Sequence, residues 1–402
     1  MSNLNELSPR SLLSRNFRAL YLDIFGYGIL AGSTLAFLNV YVARLGASNI
    51  EMGLLSAGPA LISLFIAIPI GRWLERRPLI RTTYLTSIWF RLGYVVMVLL
   101  PWFLPPPAQI GSYVLLVLIM SIPGTALAIG FNATLAATVP SDWRAHVIGR
   151  RNALMSLSMT VTALFSGQLL DRIVSPLNYQ IVFGIGAIGA LLSTFFLGRI
   201  QPIGPQAVAP IKAANGRALR LDLLRGPFGL VLIAYLFFYL GQAVPVPLFA
   251  KMQVDQLKLS DGVISIGTAA FNGCMLIGSL YLARLTRRFG HRGVFAIAAL
   301  LYGTYPLLLG LAENNALFFA ASILGGAITG VMGGAQVNRL MERVPNDDLP
   351  AHMALNNMAG NIALLVGSML GPLLADALGL REAILLSAGL RVLAGIALVR
   401  WA

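Results

Sequence analysis

Val139-Pro140-Ser141-Asp142-Trp143-Arg144-Ala145-His146 returns about 205 residues later as Val344-Pro345-Asn346-Asp347-Asp348-Leu349-Pro350-Ala351-His352. Each copy is a short polar connection that leads into an apolar stretch closing on an aspartate, Asp171 in the first case and Asp376 in the second. The basic segment holding Arg72, Arg76, Arg77 and Arg81 also recurs, as Arg284, Arg287, Arg288 and Arg292, at an offset of about 212. Matched polar loops at a near-constant offset are harder to obtain by chance than matched leucines. The chain therefore reads as two copies of one unit.

What lies between those loops decides the solvent. The 402 residues are 57% hydrophobic and 11% charged, against about 25% charged in a soluble domain. The apolar residues come in blocks of about 20, the length that crosses a hydrocarbon core. Twelve such spans are expected, at 19–43, 50–74, 82–103, 111–138, 151–174, 179–200, 226–251, 261–284, 293–311, 316–339, 351–376 and 382–400. The expected fold is an all-α membrane protein of two pseudo-symmetric six-helix bundles, 1–200 and 226–402. They are joined by a central cytoplasmic loop at 201–225, marked by Pro202, Pro205, Pro210 and Gly216. Tandem repeats of equal topology are one of the architectures of secondary transporters, with the solute site where the repeats meet.

A net charge of +14 would suggest nucleic acid in a soluble protein. Here the cations sort by side. With a cytoplasmic N-terminus, 22 of the 29 Lys and Arg fall in cytoplasmic segments and five on the opposite side (Arg44, Arg172, Lys251, Lys258 and Arg381); Arg91 and Arg391 lie inside spans. That bias predicts an inner-membrane protein with both termini cytoplasmic. No nucleic-acid partner is expected. The lone Cys274 permits no intrachain disulfide. His146, His291 and His352 are placed in separate polar loops and form no metal set. No cofactor is expected, and the first apolar block is too long for a signal-peptide core.

Gly71-Arg72-Trp73-Leu74-Glu75-Arg76-Arg77-Pro78 resembles the loop motif of the major facilitator superfamily (MFS), Gly-x-x-x-Asp-Arg-x-Gly with a basic tail. Glu75 takes the acidic position and Pro78 departs from the second glycine. The second-half copy, Ala283 to Arg292, keeps Gly290 but has Arg287 at the acidic position. The resemblance spans the chain at the level of topology. It implies a cytoplasmic latch of Gly71, Glu75, Arg76 and Arg144, with Gly71 allowing a close helix approach and Glu75 pairing with a nearby arginine. The helix-5 motif of drug–proton antiporters is degenerate at Thr162–Gly167, and Gly367-Ser368-Met369-Leu370-Gly371-Pro372 lies out of register in the eleventh span.

An intramembrane charge costs about 2.5–3.5 kcal/mol on insertion scales, so it tends to be functional or paired. Arg91 in the third span is a solute candidate, and Asp23, about one turn into the first, is a proton-coupling candidate. Arg391 lies in the twelfth span, which is peripheral in the resembled family. That family lines its cavity with helices 1, 4, 7 and 10, which adds Tyr27, Asn132, Tyr235, Tyr239, Gln242, Gln336 and Asn338 as solute candidates. Tyr235, Tyr239 and Gln242 share one helical face, and Pro245 and Pro247 predict a bend just beyond them. The reading is a monomeric secondary transporter of a small solute, proton-coupled, with export favoured over uptake by symport. A non-transporting sensor or lipid-handling protein is the rival of another class. A membrane enzyme is disfavoured, because the sequence holds no phosphate loop, metal-ligand pair or His–acid cluster at membrane depth.

Overall fold

Proline sets most helix starts in this chain. A proline ahead of the first turn fixes φ near the helical value and lacks an N–H that would go unbonded there anyway. The structure, a computed structural model, describes residues 9–201, 224, 227–342, 344 and 349–401. Its first helix, α1 (Pro9–Leu30), continues through a π-helical turn, Ala31–Leu35, into α2 (Ala36–Arg44). There follow α3 (Asn49–Glu75), α4 (Leu79–Phe103) behind Pro78, and α5 (Pro106–Thr138) behind Pro105. Then come α6 (Ser141–Arg172) behind Pro140 and α7 (Leu177–Leu197) behind Pro176.

The second copy begins with α8 (Pro227–Ala243), which breaks and resumes as α9 (Val246–Lys251) and a π-helical turn, Met252–Gln256. The break falls at the predicted bend. α10 (Asp261–Leu301) is capped by Ser260, whose hydroxyl accepts from the Val263 N–H at 3.3 Å. The chain ends with α11 (Thr304–Leu311), α12 (Asn315–Glu342), α13 (Leu349–Leu378) and α14 (Leu380–Trp401).

Eleven stretches of the described residues are long and apolar enough to cross a membrane, and one of them, Asp261–Leu311, has 51 residues. At 1.5 Å per residue a helix of that length would run about 75 Å, more than twice a hydrocarbon core. It therefore holds two crossings. They part at Gly290, whose φ of 70° is open to glycine and strained for other residues. The twelve-span expectation and the all-α fold class stand on this count. Large apolar side chains such as Phe65, Trp89, Phe103, Leu157 and Leu280 are exposed, an inversion of soluble surfaces that lipid satisfies.

The chain forms two compact units, Met1–Phe37 with Phe65–Lys212 and Leu38–Leu64 with Ala213–Ala402. In the first, α1 packs on α6 and α7, and α4 on α5 and α7. In the second, α10 packs on α12 and α14, and α8 on α13 and α14; its core gathers Phe228, Tyr235, Phe238 and Phe295. The segment Leu38–Leu64 is tied into the second unit by Arg44, which donates to Asp261 Oδ1 at 2.8 and 3.0 Å. The Lys251 ammonium also donates to the Ala47 carbonyl at 2.6 Å, and Asn49 to Asp376 at 2.6 Å. The central loop expected at 201–225 lies outside the described residues, apart from Gln201 and Leu224.

Candidate functional site

Glycine lets α1 approach α7 closely enough to build a polar centre. A Cβ on Gly26 would meet the Gly189 carbonyl oxygen and the Ser193 nitrogen at 2.8 Å, and a Cβ on Gly189 would meet the Gly26 oxygen at 2.8 Å. One turn before Gly26, Asp23 then sits against α7, and the Ser193 hydroxyl donates to its Oδ1. Arg91 of α4 donates through Nη2 to the same oxygen at 3.5 Å and through Nη1 to the Thr194 hydroxyl at 3.1 Å. Arg151 of α6 donates to Asp23 Oδ2 at 3.2 Å and to the Leu20 carbonyl at 2.8 Å, and its guanidinium lies over the Phe131 ring at 4.5 Å.

All three charged side chains are buried: Asp23 is 3% exposed, Arg91 5% and Arg151 7%. One carboxylate thus answers two guanidiniums, a formal excess of one positive charge. Beside it lies a cavity of about 390 Å³, lined by Asp23, Tyr27, Phe90, Arg91, Asn132 and Arg151 among others. The Arg91 Nε, also buried, has no acceptor among the described residues.

The second unit holds a neutral counterpart. The Gln336 Nε2 donates to the Tyr239 hydroxyl at 2.8 Å, and the Asn356 Nδ2 to the same oxygen at 2.9 Å. Tyr235 is fully buried and donates to the Gln336 carbonyl at 3.1 Å. A separate cavity of about 360 Å³ lies among α8 to α12 and α14, with Gln242 and Arg391 on its wall. Asn338 is half-buried on α12.

Of the sequence candidates, Asp23, Tyr27, Arg91 and Asn132 therefore share one cavity, Tyr235, Tyr239 and Gln336 share one hydrogen-bonded cluster, and Gln242 faces another space. Several expectations need correction. Arg151, counted with the cytoplasmic loops, is buried ten residues into α6 because that helix starts at Ser141. Asp23 lies fourteen residues into its helix and not about one turn, since α1 starts at Pro9. Arg391 is buried, not peripheral, at 5% exposure. His352 sits on α13, inside the expected span and not in a loop, and is buried, its ring edge-to-face with Phe228 at 4.4 Å.

Among the latch residues, Gly71 faces open space: a Cβ added there would have nothing within 4 Å among the described residues. Arg144 donates to the carbonyls of Val139 and Ala136, at 3.2 and 2.8 Å, and Arg76 is exposed. The Glu75 side chain lies outside the described ones. Sequence reading missed Arg151, Ser193, Thr194 and Asn356.

Known proteins share this arrangement of helices. The family profile of the Major Facilitator Superfamily matches residues 20–231 and 231–402. A Deinococcus radiodurans protein named for sugar efflux is 23% identical over 381 residues, covering 91% of this chain and 92% of the relative. A Lactococcus lactis protein named as a multi-drug resistance efflux pump, a PmrA homolog, is 22% identical over 391 residues, covering 92% and 90%. Among solved structures, a bacterial homolog of the human lysosomal transporter Spinster superposes with a TM-score of 0.74 at 15% identity, covering 96% of each chain. At that identity the likeness speaks for the fold alone.

Proposed function

Because the chain belongs to the Major Facilitator Superfamily, matched from residue 20 to residue 402, we propose that it exports a small organic solute by alternating access in exchange for protons. The observation that carries this reading is the buried Asp23–Arg91–Arg151 cluster on the wall of the first unit's cavity. A buried cluster with an odd charge is expensive to keep in a membrane protein unless it binds or moves something.

Asp23 supplies the coupling step. While ionised, its two oxygens hold both guanidiniums. In that state Arg91 and Arg151 stand fixed on the cavity wall and meet polar groups of the solute, and a proton on Asp23 removes the charge that fixes them. Protonation therefore expels the solute and loss of the proton restores the wall, so that proton and solute occupy the site in turn, as exchange requires. Tyr27 and Asn132 add a phenol and an amide to the same wall, and Phe90 and Phe131 add aromatic rings. That mixture suits a solute with both polar and apolar faces. Export, rather than uptake, is supported by the efflux names carried by relatives at 22–23% identity over nine-tenths of the chain.

The test is solute flux in proteoliposomes with an imposed pH gradient, using a sugar and a macrolide as the first solutes. Flux that follows the gradient and collapses with a protonophore is expected. D23N, reconstituted once its helical fold is confirmed, should lose the gradient-dependent flux, whereas D23E, which keeps the carboxylate, should retain it. Gradient-dependent transport that survives intact in D23N would remove Asp23 from the coupling step.

A further inference from the structure

We propose that the cavity in the second unit is a separate binding site for a small aromatic carboxylate, held by Arg391. The site originates at Pro245. Proline has no N–H, so the Gly241 carbonyl four residues earlier loses its helical donor, and α8 ends at Ala243. Arg391 of α14 reaches across to the opened turn. Its Nε donates to the Gly241 carbonyl at 2.9 Å, its Nη2 to the Gln242 carbonyl at 2.9 Å, and its Nη1 to the Tyr302 carbonyl at 3.4 Å.

The Gly241 and Gln242 carbonyls, at the C-terminal end of α8, offer partial negative charge but no full counter-ion. A guanidinium carries five N–H donors, and three are used. The Tyr302 ring lies 4.9 Å from the guanidinium carbon and offers a partial cation–π contact. No Asp or Glu among the described residues forms an ion pair with Arg391. Nearby acids are spoken for: Asp255 pairs with Lys251 and Asp261 with Arg44. In the first unit, by contrast, Arg91 and Arg151 share Asp23. Arg391 is thus a cation, buried to 5% exposure, whose missing partner is an anion. A buried ion is tolerated when it is paired or when it serves a ligand.

The cavity beside it says what kind of anion. Its volume of about 360 Å³ falls in the range of small-molecule sites. Phe249, Phe271 and Phe318 give the cavity aromatic walls, and Gln253, Thr268, Ser322 and Thr329 are among the polar groups beside them. One positive charge calls for one carboxylate, and the aromatic walls call for a flat apolar body. The site lies wholly in the second unit and does not rest on the Asp23 reading.

The test uses purified full-length protein and follows its unfolding midpoint with benzoate, and with benzamide as the neutral isostere, at constant ionic strength. Benzoate is expected to raise the midpoint and benzamide to leave it unchanged. T268F, which fills the cavity from α10 and leaves Arg391 in the sequence, should abolish the benzoate shift, whereas N132W, which fills the other unit's cavity, should keep it. R391Q should also lose the shift; if it fails to fold, T268F decides. An equal shift with benzamide overturns the proposal, as does no shift with benzoate. A benzoate shift that persists in T268F and disappears in N132W would move the anion to the first unit and overturn it as well. The solute flux experiment can fail without affecting any of these outcomes.

Discussion

Asp23 is one carboxylate divided between two guanidiniums, and the division predicts an order of damage. Removing one partner of a buried ion pair costs about 3–5 kcal/mol, because the other charge stays buried and unanswered. D23N strands two cations at once. R91Q or R151Q strands none, since Asp23 keeps one guanidinium in each case. D23N should therefore be the most destabilising of the three, at or above the upper end of that range, and D23N/R91Q should recover part of the loss. Denaturant unfolding in detergent checks the order; R151Q as damaging as D23N would contradict the shared-carboxylate geometry. Asp23, Tyr27, Arg91 and Asn132 were legible in the sequence because polar groups stand out in apolar spans. Arg151 was not. Hydropathy starts its span at 151, whereas the backbone starts the helix at Ser141, directly after Pro140. Ser193 and Thr194 carried no signal, because a membrane serine or threonine ordinarily bonds its own helix, as Thr194 does to Ala190.

Helix contacts in this chain turn on which glycines face a neighbour. A Cβ on Gly371 of α13 would lie 2.0 Å from the Val244 carbonyl oxygen, at the break after α8, and one on Gly367 would lie 2.6 Å from the Ala243 Cβ. Gly371 thus marks a real seam, although as a family motif it lies out of register. Gly71 belongs to the recognised motif and faces open space. G371A should destabilise by about 1–3 kcal/mol, because a backbone oxygen cannot move aside cheaply. G71A should stabilise by up to about 1 kcal/mol through helix propensity alone. Thermal unfolding of the two variants checks the opposite signs, and a shift of the same sign in both would refute the packing argument. The same scale shows what hydropathy reads well and poorly. The break at Pro245 was legible, since a missing N–H is written in the sequence. The π-helical turn at Ala31–Leu35 was not, because Ala-Gly-Ser-Thr-Leu has no periodicity that separates it from the α-helix on either side.

The two copies place comparable groups at comparable seams and differ in charge. At the offset of about 205, Arg151 of α6 corresponds to Asn356 of α13. The first donates to Asp23 on α1 and the second to Tyr239 on α8. Repetition was legible in the polar loops, but the charged version in one copy and the neutral version in the other emerged only from side-chain contacts. The relocation of Arg151 also bears on orientation, which rests on counting cations. Moving one arginine from the 22 cytoplasmic cations into the bundle leaves 21 against five, and the positive-inside bias counts Lys and Arg whether or not they are paired. Both termini and the Arg284–Arg292 segment are therefore expected in the cytoplasm, with Glu313 on the opposite side. Glu313 and Arg287 are both exposed, and Cys274 is the chain's single cysteine, so C274S gives a clean background. A membrane-impermeant maleimide should label E313C in intact cells and R287C only after permeabilisation. The reverse pattern would invert the chain in the bilayer and, with it, the direction of the proposed export.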